Sequence, residues 1–135
     1  MRTKQVRPET LEFEYLLHIS REWDEVKQLD YILFNFTTVK VFETFRYKIN
    51  VEVTDKSDEK EITFNIEGLS APIVTLSKPG NAHFEYRIYS FKQTEYILKL
   101  TKQKKQKNNF RFRVGKKSIK LTAVPRKKFI NVTAS

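Results

Sequence analysis

The stretch "YILFNFTTVKVFETFRYKINVEVT", residues 31–54, decides the fold class. It is dense in β-branched and aromatic residues, which suit a pleated, half-buried surface. Its second half alternates strictly, with Phe45, Tyr47, Ile49, Val51 and Val53 set against Arg46, Lys48, Asn50 and Glu52. A period of two marks a strand with one buried face, so the stretch reads as one or two strands.

The same period extends in both directions. "LEFEYLLHI" (11–19), "ITFNIEGL" (62–69), "AHFEYRIYSF" (82–91), "TEYILKLTK" (94–102), "NFRFRV" (109–114) and "SIKLTAV" (118–124) read as strands. "APIVTL" (71–76) reads as a short strand before the turn signal "SKPGN". "GKK" (115–117) joins two of the strands as a tight hairpin, and "RKKFINVTAS" (126–135) is an edge strand or a tail. "SREWDEVKQLD" (20–30) breaks the pattern. Trp23, Val26 and Leu29 recur every three residues behind Ser20, a capable N-cap, which predicts a short helix near 20–29.

About eight short strands and one short helix indicate an all-β domain. The expected architecture is an immunoglobulin-like two-sheet β-sandwich, with an oligonucleotide-binding (OB-like) β-barrel as the alternative. With 135 residues and no linker or repeat, the chain reads as a single domain, 1–135, whose ends, 1–8 and 126–135, are candidates for disorder.

One local motif supports the sandwich. "FKQTEYILKLT" (91–101) resembles the E–F corner of fibronectin type III and other immunoglobulin-like domains, through Phe91, then Thr94-Glu95-Tyr96, then Leu98 and Leu100. The resemblance implies that the Tyr96 hydroxyl bonds back to the corner's backbone. The usual Pro-Gly of that corner is absent, as are the Cys and Trp of true immunoglobulin domains. The resemblance bears on fold and carries no function.

Several chemistries lack their parts. Without cysteine there is no thiolate nucleophile and no disulfide. The three glycines form no nucleophile elbow, P-loop or dinucleotide fingerprint. His18 and His83 are the only histidines. "DKSDEKE" (55–61) lacks the spacing and the glycine of a calcium loop and reads as a charged turn, while Asp24 and Glu25 suit the first turn of the expected helix. Two sequons, at Asn35 and Asn131, stand where about one is expected by chance, and without a signal peptide they carry little weight. The expectation is a chain that is not an enzyme, with no metal and no cofactor.

"MRTKQVRPET" is followed by no apolar segment, so no signal peptide is expected. No apolar run approaches the roughly 18 residues of a membrane span. Together with the lack of cysteine, this predicts a cytoplasmic protein.

Charge supplies the remaining lead. Residues 1–82 hold 11 basic and 14 acidic side chains, a balance of −3, whereas residues 83–135 hold 15 and 2, a balance of +13. No acid follows Glu95. If Tyr96, Leu98, Leu100, Phe110, Phe112 and Val114 face the core, then Lys99, Arg111, Arg113 and Lys120 share the opposite face. Lys102, Lys104, Lys105 and Lys107 then crown one end of that face and Lys116 and Lys117 the other. These ten residues are the candidate polyanion site, and nucleic acid is the leading partner. Recognition would be independent of base sequence, because no helix is offered to a major groove. The competing expectations are a solvated face that only keeps the protein soluble and protects a sheet edge, or an adaptor surface for an acidic protein partner.

Overall fold

The computed structural model describes residues 14–42, 48–70 and 80–135. Nine strands carry the fold: β1 (Tyr15–Asp24), β2 (Leu29–Phe42), β3 (Lys48–Lys56), β4 (Glu61–Ser70), β5 (Gly80–Ile88), β6 (Glu95–Lys102), β7 (Gln106–Val114), β8 (Ile119–Ala123) and β9 (Ile130–Ala134). A 3-10 turn, Ser57–Glu59, is the one helical element among the described residues.

The strands form one sheet in the order β8-β7-β6-β4-β3-β5-β2-β1-β9. Its two ends approach each other, because the Ile119 N–H donates to the Ser135 carbonyl at 2.9 Å and the Ser135 N–H donates to the Ile19 carbonyl at 3.0 Å. The result is a nearly closed, barrel-like sheet. It fulfils the all-β expectation without specifically reproducing a two-sheet immunoglobulin-like sandwich. The strand "APIVTL" and the alternating positions Phe45 and Tyr47 lie outside the described residues, as do residues 1–8.

The expected helix near 20–29 is not formed. β1 continues to Asp24, and after a four-residue turn β2 starts at Leu29. Asp24 explains the turn: its Oδ1 accepts the N–H groups of Val26 (3.0 Å) and Lys27 (3.1 Å), and Gln28 adopts a positive φ of 56°. The three-residue spacing of Trp23, Val26 and Leu29 does not describe a buried stripe, since Val26 is 94% exposed. Ser20, no cap, is buried within β1.

The core lies between the two halves of the curled sheet. Phe34 and Phe36 of β2 meet Phe64 of β4 at ring-centroid distances of 5.1 and 5.0 Å, and Phe34 meets Phe112 of β7 at 5.9 Å. All four rings are fully buried, each contributing about 1.5–3 kcal/mol relative to exposure. The corner bond implied by the immunoglobulin-like motif is present: the Lys92 N–H donates to the Tyr96 hydroxyl at 2.8 Å. The Tyr96 ring stacks on Phe112 at 5.4 Å with a 13° tilt. That bond ties the turn before β6 to the second residue of the strand.

The C-terminal segment resolves as strand. β9 runs parallel to β1 from Tyr15↔Ile130 to Ile19↔Ala134. Buried Asn108 of β7 holds the approach to it, its Nδ2 donating to the Lys127 carbonyl at 2.8 Å and its Oδ1 accepting the Phe129 N–H at 2.9 Å.

Candidate functional site

β6, β7 and β8 form an antiparallel meander. Tyr96 pairs with Phe112, Leu98 with Phe110, and Val114 with Ile119, all buried. Alternation then sends Lys99, Arg111, Arg113 and Lys120 to the outer face. A register shift between Arg111 and Phe112 lets β8 follow the curl of the sheet without moving these side chains off that face.

The ten sequence-predicted residues fall into three sets. Lys99, Lys102 and Arg111 already hold acids: Lys99 Nζ stands 2.7 Å from Glu61, Arg111 Nη1 stands 3.2 Å from Glu95, and Lys102 contacts Glu14. The hydrogen bond from Lys99 holds the Glu61 carboxyl below its ordinary pKa. Two of these acids come from beyond the meander. β4 lies parallel to β6, bringing Glu61 beside Ile97 and Thr63 beside Lys99, a neighbour that the local sequence does not reveal.

The second set is Arg113, Lys116, Lys117 and Lys120. All four are exposed, and among the described residues none forms an ion pair. Arg113 and Lys120 are direct register partners across the β7–β8 ladder. Glu95 is the register partner of Arg113 on the other side, but its carboxylate is engaged by Arg111. Like charges directly opposite one another destabilise a sheet. The Arg113–Lys120 pair is therefore a cost that a bound anion would remove. Beside it lies a hollow of about 320 Å³ lined by Arg113, Gly115, Ser118, Lys120 and Thr122. The connecting turn is closed by the Gly115 N–H donating to the Ser118 carbonyl at 2.8 Å, and a Cβ on Gly115 would stand only 3.2 Å from that oxygen.

Lys104, Lys105 and Lys107 make the third set, at the opposite end. Their turn is held in place. Gln103 and Lys104 both take positive φ, 52° and 56°, and the Lys105 N–H closes onto the Lys102 carbonyl at 3.0 Å. The Gln103 N–H donates to the Ile66 carbonyl at 2.8 Å and the Lys104 N–H to Asn65 Oδ1 at 3.1 Å. Asn65, buried, also accepts from the Thr101 hydroxyl at 2.7 Å. From Lys107 to Arg113, six residues of strand separate by about 20 Å two poles that form no ion pair among the described residues.

Elsewhere, His18 bonds Thr133 Oγ1 at 2.6 Å and Ser135 Oγ at 2.9 Å, tying β1 to the C-terminus. Among the described residues no group of three or more His, Cys, Asp or Glu gathers at metal-binding range. Among the described residues no helix is long and apolar enough to cross a membrane.

Two features escaped the sequence. The Tyr86 hydroxyl donates to Asp55 Oδ2 at 2.5 Å, linking β5 to β3. The β1–β2 hairpin carries Trp23, Val26 and Leu29 into solvent. No protein-family model matches the chain, and no curated protein or solved structure shows significant similarity to it.

Proposed function

We propose that the chain is a non-enzymatic binding module whose basic outer face contacts a polyanion, with nucleic acid the favoured class and no base-sequence specificity. The observation that carries the reading is the Arg113–Lys120 pair, two exposed cations set opposite each other without an acid between them. Lys116 and Lys117 extend that pole, and Lys104, Lys105 and Lys107 form a second one at the other end of β7. The aromatics of β7, Phe110 and Phe112, are buried, so binding rests on phosphate contact and not on stacking against this sheet. The face belongs to the β6–β7–β8 meander, which a sandwich or a barrel would carry equally well.

Anisotropy titrations of labelled single- and double-stranded oligonucleotides over a range of salt concentrations test the reading. About six phosphate contacts on duplex DNA give a log–log salt slope near −5. The variant K104E/K105E/R111E/R113E is expected to abolish binding. Binding that survives this variant moves the site elsewhere, and a wild type that binds nothing at low salt removes the polyanion reading.

A further inference from the structure

The β1–β2 hairpin overhangs the rest of the sheet. β5 last pairs with β2 at Ile32↔Ile88, whereas β1 and β2 stay paired out to Asp24↔Leu29. On this overhang Trp23 is 53% exposed and Leu29 49%, with nearly bare Val26 at the apex. The tip is pinned outward. Asp24 bonds the Val26 and Lys27 N–H groups through one carboxylate oxygen and receives the Tyr89 hydroxyl, at 2.7 Å, on the other. Lys27 Nζ sits 4.1 Å over the Tyr89 ring. These contacts fix an apolar tip in water.

The charge around the tip selects its occupant. Glu22 and Glu25 flank Trp23, both exposed, and among the described residues neither pairs with a cation. Two free carboxylates oppose a nucleic acid or an anionic membrane and favour a cationic surface with an apolar recess. The chain carries such a surface in the hollow edged by Arg113 and Lys120. The two features are neighbours, since Arg21 Nη1 donates to the Gly115 carbonyl at 2.5 Å and links the hairpin to the rim of the hollow. Complementary patches lying side by side are what a two-fold axis requires, because each then meets the other's counterpart.

We propose that the protein forms a symmetric homodimer in which the Trp23–Val26 tip of each copy seats in the Arg113–Lys120 hollow of the other, with Glu22 and Glu25 facing those two cations. The dimer stands independently of the polyanion reading. Where both hold, they compete for Arg113 and Lys120.

Sedimentation velocity on the full chain over a concentration series tests it. Dimer is expected at low salt, weakening as salt screens the charge pairs. V26D and W23A are each expected to weaken association about tenfold or more, as loss of a buried anchor does. Because both residues are exposed, neither substitution threatens folding. E22K/E25K and R113E/K120E are each expected to be monomeric alone and to form a heterodimer when mixed, since one of its two contacts is wild type and the other is charge-reversed on both sides. Trp23 is the single tryptophan, so its emission is expected to shift to the blue as the dimer forms. A wild type that stays monomeric at low salt overturns the proposal, as does a dimer indifferent to V26D, or a mixture that fails to associate. A Trp23 response of monomeric protein to anionic vesicles would also overturn it, by naming a different occupant. V26D leaves the basic face intact, so its oligonucleotide binding reports on the polyanion reading separately.

Discussion

The Tyr86 hydroxyl lies 2.5 Å from the Asp55 carboxylate, across a junction where, among the described residues, β3 and β5 otherwise pair only at Lys48 and His83. The contact adds a polar clasp between the two halves of the sheet, beside the Tyr86–Phe64 ring contact at 5.7 Å. Burial and the bond to Asp55 push the Tyr86 pKa up to about 12. Burial pushes the Asp55 carboxyl up, but its hydrogen bonds with Tyr86 and Ser57 together outweigh that and hold it below the ordinary value.

The clasp predicts two pH windows. Tyr86 has a raised folded pKa, so its contribution is complete below the unfolded value near 10 and is lost as pH climbs towards about 12. For Asp55 the folded pKa is depressed, so its contribution is present above the unfolded value and is lost as pH falls through the folded one. Denaturant titrations of wild type and Y86F should differ by about 1 kcal/mol at neutral pH, after discounting for the partly exposed site, and converge at both extremes. A difference that stays constant with pH would leave the clasp without a protonic contribution.

Asn108 is expected to govern the C-terminal strand. N108A strips partners from the Lys127 carbonyl and the Phe129 N–H in a buried position. The cost should be about 2–3 kcal/mol. Amide exchange should rise first in β9, because its anchor ahead of Ile130 is gone. Exchange that rises evenly over the whole sheet would contradict this local role.

The Gln103-Lys104 turn stores strain. Both residues occupy the left-handed region that a primed hairpin turn demands, and neither is the Asn or Gly that tolerates it. Q103N/K104G is expected to raise stability by about 1 kcal/mol. The lost Lys104 cation should at the same time lower the oligonucleotide salt slope by about one. Chemical denaturation reads the first effect and anisotropy the second.

Pairing divides the basic face into unequal members. R113Q/K120Q should lower the oligonucleotide salt slope by about two. K99Q/R111Q should lower it less, because Glu61 and Glu95 already neutralise those cations and a phosphate must displace them. Equal effects from the two variants would mean that the ion pairs do not persist in solution.

Much of this surface was legible in the residues. Phe110 and Phe112 are buried while Arg111 and Arg113 are exposed, as their alternation requires, and Gly115 turns the chain between β7 and β8. The Tyr96 corner bond was equally foreseeable from its motif. The hairpin 20–30 was not. Its three-residue apolar spacing means a helix only where that stripe is buried, and here Asp24 makes the turn and leaves Val26 in solvent.

Local backbone geometry is the dividing line. A strand's side chains alternate because of its own pleat, so the sequence alone determined which residues face the core and which face water, and it placed the basic charge on the outer face of the last strands. Which strands lie side by side depends on how the sheet curls to bury Phe34, Phe36, Phe64 and Phe112 together. Only the tertiary structure could therefore bring Glu61 to Lys99, set β9 against β1, and set Arg113 opposite Lys120 while Arg111 engages Glu95. Those long-range pairings decide which of the ten candidate cations still have charge to offer a partner.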